Sequence, residues 1–104
     1  MELKITRWHR PGRPNEHMLR DLYQREGLAP YIWSNSPYDA YEAHTHGYDK
    51  VLYVVAGSIT WIIGQGRHRQ EFETFPGDRI DLPHGTVHAA LVGPEGVTCL
   101  EAHL

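Results

Sequence analysis

The chain has 104 residues, 40% apolar and 22% charged, enough for one domain with one core. A formal net charge of −3 leaves no basic footprint, which argues against a nucleic-acid partner. A lone cysteine, Cys99, excludes an internal disulfide framework, and the longest apolar run, Val51 to Ala56, is far too short to cross a bilayer.

Residues 2–8 alternate weakly and read as a short edge strand. Residues 9–14 hold Pro11, Gly12 and Pro14 and read as a loop. A helix follows. Asn15 suits its N-cap, Gly27 its C′ position, and Met18, Leu19, Leu22 and Tyr23 form one apolar stripe. At about 11 residues such a helix does not persist alone, so it must lie on the β-domain or on a partner subunit. Tyr31-Ile32-Trp33 reads as a strand, and residues 38–43 lead into a histidine pair.

That pair is His44 and His46. Residues i and i+2 of a strand share a face, so both rings would aim at one spot, as a metal requires of neutral imidazoles. The same parity would turn Glu42 inward as a supporting carboxylate or a ligand, unless the strand bends before His44 and leaves it facing solvent, which is the favoured reading. Val51 to Val55 reads as a buried strand that ends at Gly57. Residues 58–63 and 68–75 read as a hairpin turning at Gly64 and Gly66. Pro76-Gly77-Asp78 turns into a further strand, which breaks at Pro83-His84-Gly85 and is followed by His88. Ala89 to Val92 and Val97 to Leu104 read as two more strands, separated by a turn at Pro94-Glu95-Gly96. Many short strands with Gly/Pro turns indicate a small sandwich or barrel.

The two histidine stretches together resemble the two motifs of the cupin family. His44, His46 and Gly57 fit the first motif, and Gly77, Pro83, Gly85 and His88 fit the second. The resemblance covers roughly residues 38–104. It implies an all-β fold, a double-stranded β-helix (the cupin jelly roll or barrel) with one short N-terminal helix. Residues 1–104 would then be a single cupin domain, with a barrel core over about 31–104 and an N-terminal strand and helix over 1–30. Two positions depart from the family pattern. Lys50 stands where the first motif has an acidic ligand, and Val92 stands where the second usually has an asparagine. The resemblance therefore carries over a three-histidine metal site of His44, His46 and His88. The cofactor would be a divalent transition metal: zinc, iron, nickel or manganese.

Lys50 has three readings. It points outward to pair with Asp49 or another carboxylate, or inward to hold a ligand's anionic group, or it acts as a neutral catalytic amine. Asp49 could itself supply the missing ligand if the loop shifts register. Tyr48 and His84 are candidates for the pocket mouth. Glu101 and His103 share parity, so one of them could reach the pocket, although exposure or a subunit contact is the favoured reading. Trp33 and Trp61 could wall an apolar pocket or fill core or interface, with core favoured, and Cys99 is expected in the core.

The function that follows is a small metal-dependent enzyme, dioxygenase- or isomerase-like, acting on a small anionic or carbonyl-containing molecule. The alternative is a non-catalytic module that binds or senses a small molecule. The expected setting is cytoplasmic, with a small-molecule ligand, no membrane or nucleic acid, and a homodimer formed through residues 1–8 or the helix.

Overall fold

Two long strands carry the fold. In the computed structural model, which describes residues 1–104, β4 (Lys50–Ile63) and β7 (His88–His103) pair antiparallel from Lys50↔His103 to Ile63↔His88. Shorter strands attach to their halves. The first half of β4 pairs with β6 (Arg79–Leu82), which in turn pairs with β1 (Lys4–Thr6). The second half of β4 pairs with β5 (Gln70–Thr74). On the other side, the end of β7 pairs with β2 (Tyr31–Asn35), and its start pairs with β3 (Ala40–His44).

The β4–β7 ribbon bends in the middle, where the register shifts between Val54 and Ala56 and again between Gly57 and Ile59. Bulges of this kind bend and twist a ladder. The expected strand end at Gly57 and turn at Pro94-Glu95-Gly96 are therefore both corrected: each lies within one continuous strand. Gly57 is required there for a different reason. Its φ is 75°, and a Cβ would sit 2.0 Å from the carbonyl oxygen of Gly96.

The bend folds the sheet into two layers. One holds β1, β6, the start of β4, the end of β7, and β2; the other holds β5, the end of β4, the start of β7, and β3. Between them lies an apolar core that includes Leu52, Val54, Ile59, Trp61, Ile80, Leu82, Val92 and Cys99. The fold is the expected all-β jelly roll with one helix.

That helix, α1 (Glu16–Arg25), starts where Asn15 Oδ1 accepts from the Met18 amide at 2.9 Å. It covers the outer face of the first layer. Leu19 and Tyr23 are fully buried against Val51, Tyr53, Leu100 and Ala102, and each such burial contributes about 1.5–3 kcal/mol. The Tyr23 hydroxyl donates to the Val51 carbonyl at 2.7 Å, which keeps a polar atom satisfied inside that contact. The helical stripe is thus taken up by its own chain rather than by a partner subunit. No helix is long and apolar enough to cross a membrane.

Candidate metal centre and pocket

The strand parity that put Lys50 and Leu52 inward holds along the first layer. Lys50 pairs with His103, Leu52 with Glu101, and Glu101 with Tyr31, so these residues share the inner face. The second layer brings His44 on β3, and His88 and Ala90 on β7, to face them. A cavity of about 310 Å³ lies between the layers. Tyr31, Trp33, Lys50 and Glu101 line it on one side. Tyr41, His44, Ile59, Trp61, His88 and Ala90 line the other, and His46 and Tyr48 reach in from the β3–β4 loop.

The three histidines form one group whose ligand atoms all lie within 4.8 Å of one another. Ring centroids are 4.3 Å apart for His44–His88, 4.7 Å for His44–His46 and 5.2 Å for His46–His88. Each ring is fixed at Nδ1. His44 Nδ1 lies 2.6 Å from the Glu42 carbonyl, His88 Nδ1 lies 2.9 Å from the Thr86 carbonyl, and His46 Nδ1 lies 3.2 Å from the Tyr48 hydroxyl. A carbonyl can only accept, so His44 and His88 carry their proton on Nδ1. Their Nε2 lone pairs are left free on the side where the rings converge. Burial pushes the His88 imidazole down to about 4, and burial together with the Lys50 charge lowers that of His46. Both rings are therefore neutral near pH 7, the form that binds a metal. A divalent cation that favours imidazole fits this donor set.

The opposite wall is built around Glu101, which is buried. Its Oε2 accepts from the Tyr31 hydroxyl at 2.5 Å and lies 2.6 Å from His103 Nε2; its Oε1 accepts from Trp33 Nε1 at 3.1 Å. Burial works against this carboxylate, but the bonds from Tyr31 and His103 outweigh it and hold the group below its usual range. Lys50 Nζ lies 3.7 Å from Glu101 Oε1. Burial lowers the lysine, and Glu101 opposes that shift.

Several expectations are corrected here. Lys50 is buried and faces the cavity; Glu101, not Asp49, is its partner. Glu42 is exposed, because a register shift between Tyr41 and His44 breaks the parity that would have turned it inward; only its backbone carbonyl serves the site. Asp49 is not among the converging groups. It accepts from the His84 amide at 2.8 Å and meets His84 Nδ1 at 2.9 Å, which ties the β3–β4 loop to the Pro83-Gly85 turn. His84 is largely exposed and does not line the cavity. Tyr48 does line it, stacked on His103 with centroids 4.0 Å apart. Trp33 and Trp61 face the cavity as well as the core, and Cys99 is core, with burial pushing its thiol up to about 12. Tyr31 and Tyr41 were the residues missed, and Glu101 reaches the pocket against the favoured reading of exposure; its parity with Lys50 across β4–β7 is the signal, and it becomes usable only once the register is known.

No protein-family model matches the chain, and no curated protein matches it. Solved structures do. Oxalate decarboxylase of Bacillus subtilis, which has Mn(II) centres, is similar with a TM-score of 0.64 at 23% identity over 73% of this chain and 20% of that one. The DMSP lyase DddQ of Ruegeria pomeroyi is similar with a TM-score of 0.63 at 21% identity, over 73% of this chain and 37% of that one. A cupin superfamily protein of Desulfitobacterium hafniense reaches a TM-score of 0.62 at 13% identity, over 99% of this chain and 77% of that one. The chain therefore spans less than half the length of either enzyme. Paired histidine motifs on a bent two-layer sheet, superposing on these structures, give the chain the fold of the cupin superfamily.

Proposed function

We propose that this protein is a metal-dependent enzyme, dioxygenase- or isomerase-like, acting on a small anionic or carbonyl-containing molecule. The observation that carries this reading is the three-histidine group at the cavity, whose ligand atoms lie within 4.8 Å of one another, with His44 and His88 anchored at Nδ1 on backbone carbonyls. His44, His46 and His88 would hold a divalent zinc, iron, nickel or manganese ion. When bound, such an ion supplies a Lewis acid that polarises an oxygen or sulfur of the substrate. Three protein ligands leave coordination positions open, as catalytic centres do. Around that point the chain supplies neutral imidazoles, an apolar wall of Trp61, Ile59 and Ala90 that limits water, and an inward-facing Lys50. Two of the structurally similar proteins named above are a DMSP lyase and an oxalate decarboxylase, so this fold carries enzymes as well as binding modules.

One observation favours a second reading, a binding or sensing module without turnover. The carboxylate that a metal-binding cupin carries in its first motif is replaced by Lys50, and Glu101 is not among the converging ligands. The two readings part on metal content. Untagged protein should contain near-stoichiometric metal by elemental mass spectrometry, and His44→Ala and His88→Ala should each lose it. Metal-free wild type that also refuses added zinc, iron, nickel and manganese rejects the enzyme and leaves the binding module.

A further inference from the structure

The wall opposite the histidines contains one group whose valence is not used. Lys50 is buried, with its side chain 9% exposed, and its one ion-pair partner, Glu101 Oε1, lies 3.7 Å away. That is beyond hydrogen-bond reach, and no hydrogen bond of the protein ends on Nζ. The ammonium carries three donors, none taken by a hydrogen bond of the protein, and the residue opens on the cavity. Glu101, by contrast, is fully engaged. Tyr31 and His103 hold Oε2 and Trp33 holds Oε1, so the carboxylate is fixed in place at 3.7 Å from Lys50 Nζ rather than drawn onto it. The free donors line the cavity, and only a molecule that enters the cavity can reach them.

We propose that Lys50 binds a carboxylate of the ligand, so that the pocket takes a small monocarboxylic acid with an apolar middle. This rests on the cavity being the ligand site of the reading above. The acid end lies on Lys50. The middle lies against the ring faces of Trp33 and Trp61, and the far end lies at the three-histidine point. A cavity of about 310 Å³ sets the size. A dianion such as phosphate would place a second negative charge beside Glu101. A monocarboxylate adds only one negative charge beside the ionised Glu101.

Trp33 and Trp61 line the cavity, so binding can be read by tryptophan fluorescence. Benzoate and propionate would be titrated against their amides, benzamide and propionamide, and against inorganic phosphate. Zinc content would be measured on the same samples. The acids should bind roughly 10-fold or more tighter than the amides, and tighter than phosphate. Lys50→Met should remove that preference with zinc content unchanged. Since Lys50→Met leaves Glu101 without its cation, the double variant Lys50→Met/Glu101→Gln, which removes both charges, serves as a second test and should show the same loss. Equal binding of acid and amide, tighter binding of phosphate, no saturable signal from any probe, or a preference that survives in either variant each overturns the proposal. Wild type that binds acids but refuses zinc, iron, nickel and manganese keeps this proposal and rejects the metal reading. Wild type that holds zinc without preferring acids does the reverse.

Discussion

The two walls of the pocket are built in opposite ways. On the histidine side, every ring is held by a group two residues away: His44 by the Glu42 carbonyl, His88 by the Thr86 carbonyl, and His46 by the Tyr48 hydroxyl. On the lysine side, Glu101 is held by Tyr31 and Trp33, which lie 70 and 68 residues away, and it faces Lys50 across a strand pair. The first wall is a set of local motifs. The second exists only after β2, β4 and β7 have met in the right register. Substitutions in the histidine wall should therefore be cheap to stability, and substitutions that break the Glu101 network of the lysine wall costly to it.

The largest effect expected is on stability at Glu101. Glu101→Ala leaves the Lys50 cation buried without a partner and removes the acceptor of Tyr31, Trp33 and His103. Breaking a buried pair from one side costs about 3–5 kcal/mol. His44→Ala, at a half-buried position, should cost about 1 kcal/mol or less in metal-free protein. Urea unfolding of both variants measures the contrast. Equal losses would mean that the two walls do not differ in how they support the fold.

This contrast also explains what could be read from the chain alone. His44, His46, His88, the turn glycines and the helix from Asn15 were legible because each is specified by neighbours in sequence. Lys50 was legible only as a choice between inward and outward, because one strand's parity does not say what stands opposite. Glu101 reaches the pocket against the favoured reading for the same reason. Glu42 faces solvent because a bulge between Tyr41 and His44 shifts the period by one, and strand parity alone could not choose between that bend and an inward carboxylate. The long strands were misread as four short ones because Gly57 and Gly96 look like turn residues. They are instead the point where two backbones meet too closely for a Cβ.

A middle-sized effect is expected from pH in the metal-free protein. Burial holds folded His88 down near 4, whereas the unfolded imidazole titrates near 6.5. Between those values the unfolded chain binds the extra proton and the folded one does not. Stability is therefore fully present above about pH 6.5 and falls as the pH drops towards 4, by about 1.4 kcal/mol per unit at most from this group. His46 shifts in the same direction and adds to the slope. Denaturant melts from pH 7.5 to 4.5 on wild type and His88→Gln would show it. An equal slope in His88→Gln would assign the loss to other groups.

The smallest effect is at Tyr48, and it sharpens the comparison most. Of the three anchors on the histidine wall, two are backbone carbonyls that no substitution removes. Only the His46 anchor is a side chain, at 3.2 Å. Tyr48→Phe deletes that hydroxyl while leaving the ring that stacks on His103. Loss of a group that orients a metal-binding histidine typically weakens affinity 10- to 100-fold. Because this bond is long and partly solvated, about 10-fold is expected here, equivalent to about 1.4 kcal/mol. Competition with a calibrated zinc chelator measures it. The unfolding midpoint of the metal-free variant should stay within about 0.5 kcal/mol of wild type, since a surface-side hydroxyl holds no part of the core. Unchanged zinc affinity would mean that the loop backbone alone orients His46. A large loss of stability would mean instead that Tyr48 and His103 belong to the long-range wall, which would then reach the metal point through the stacked pair.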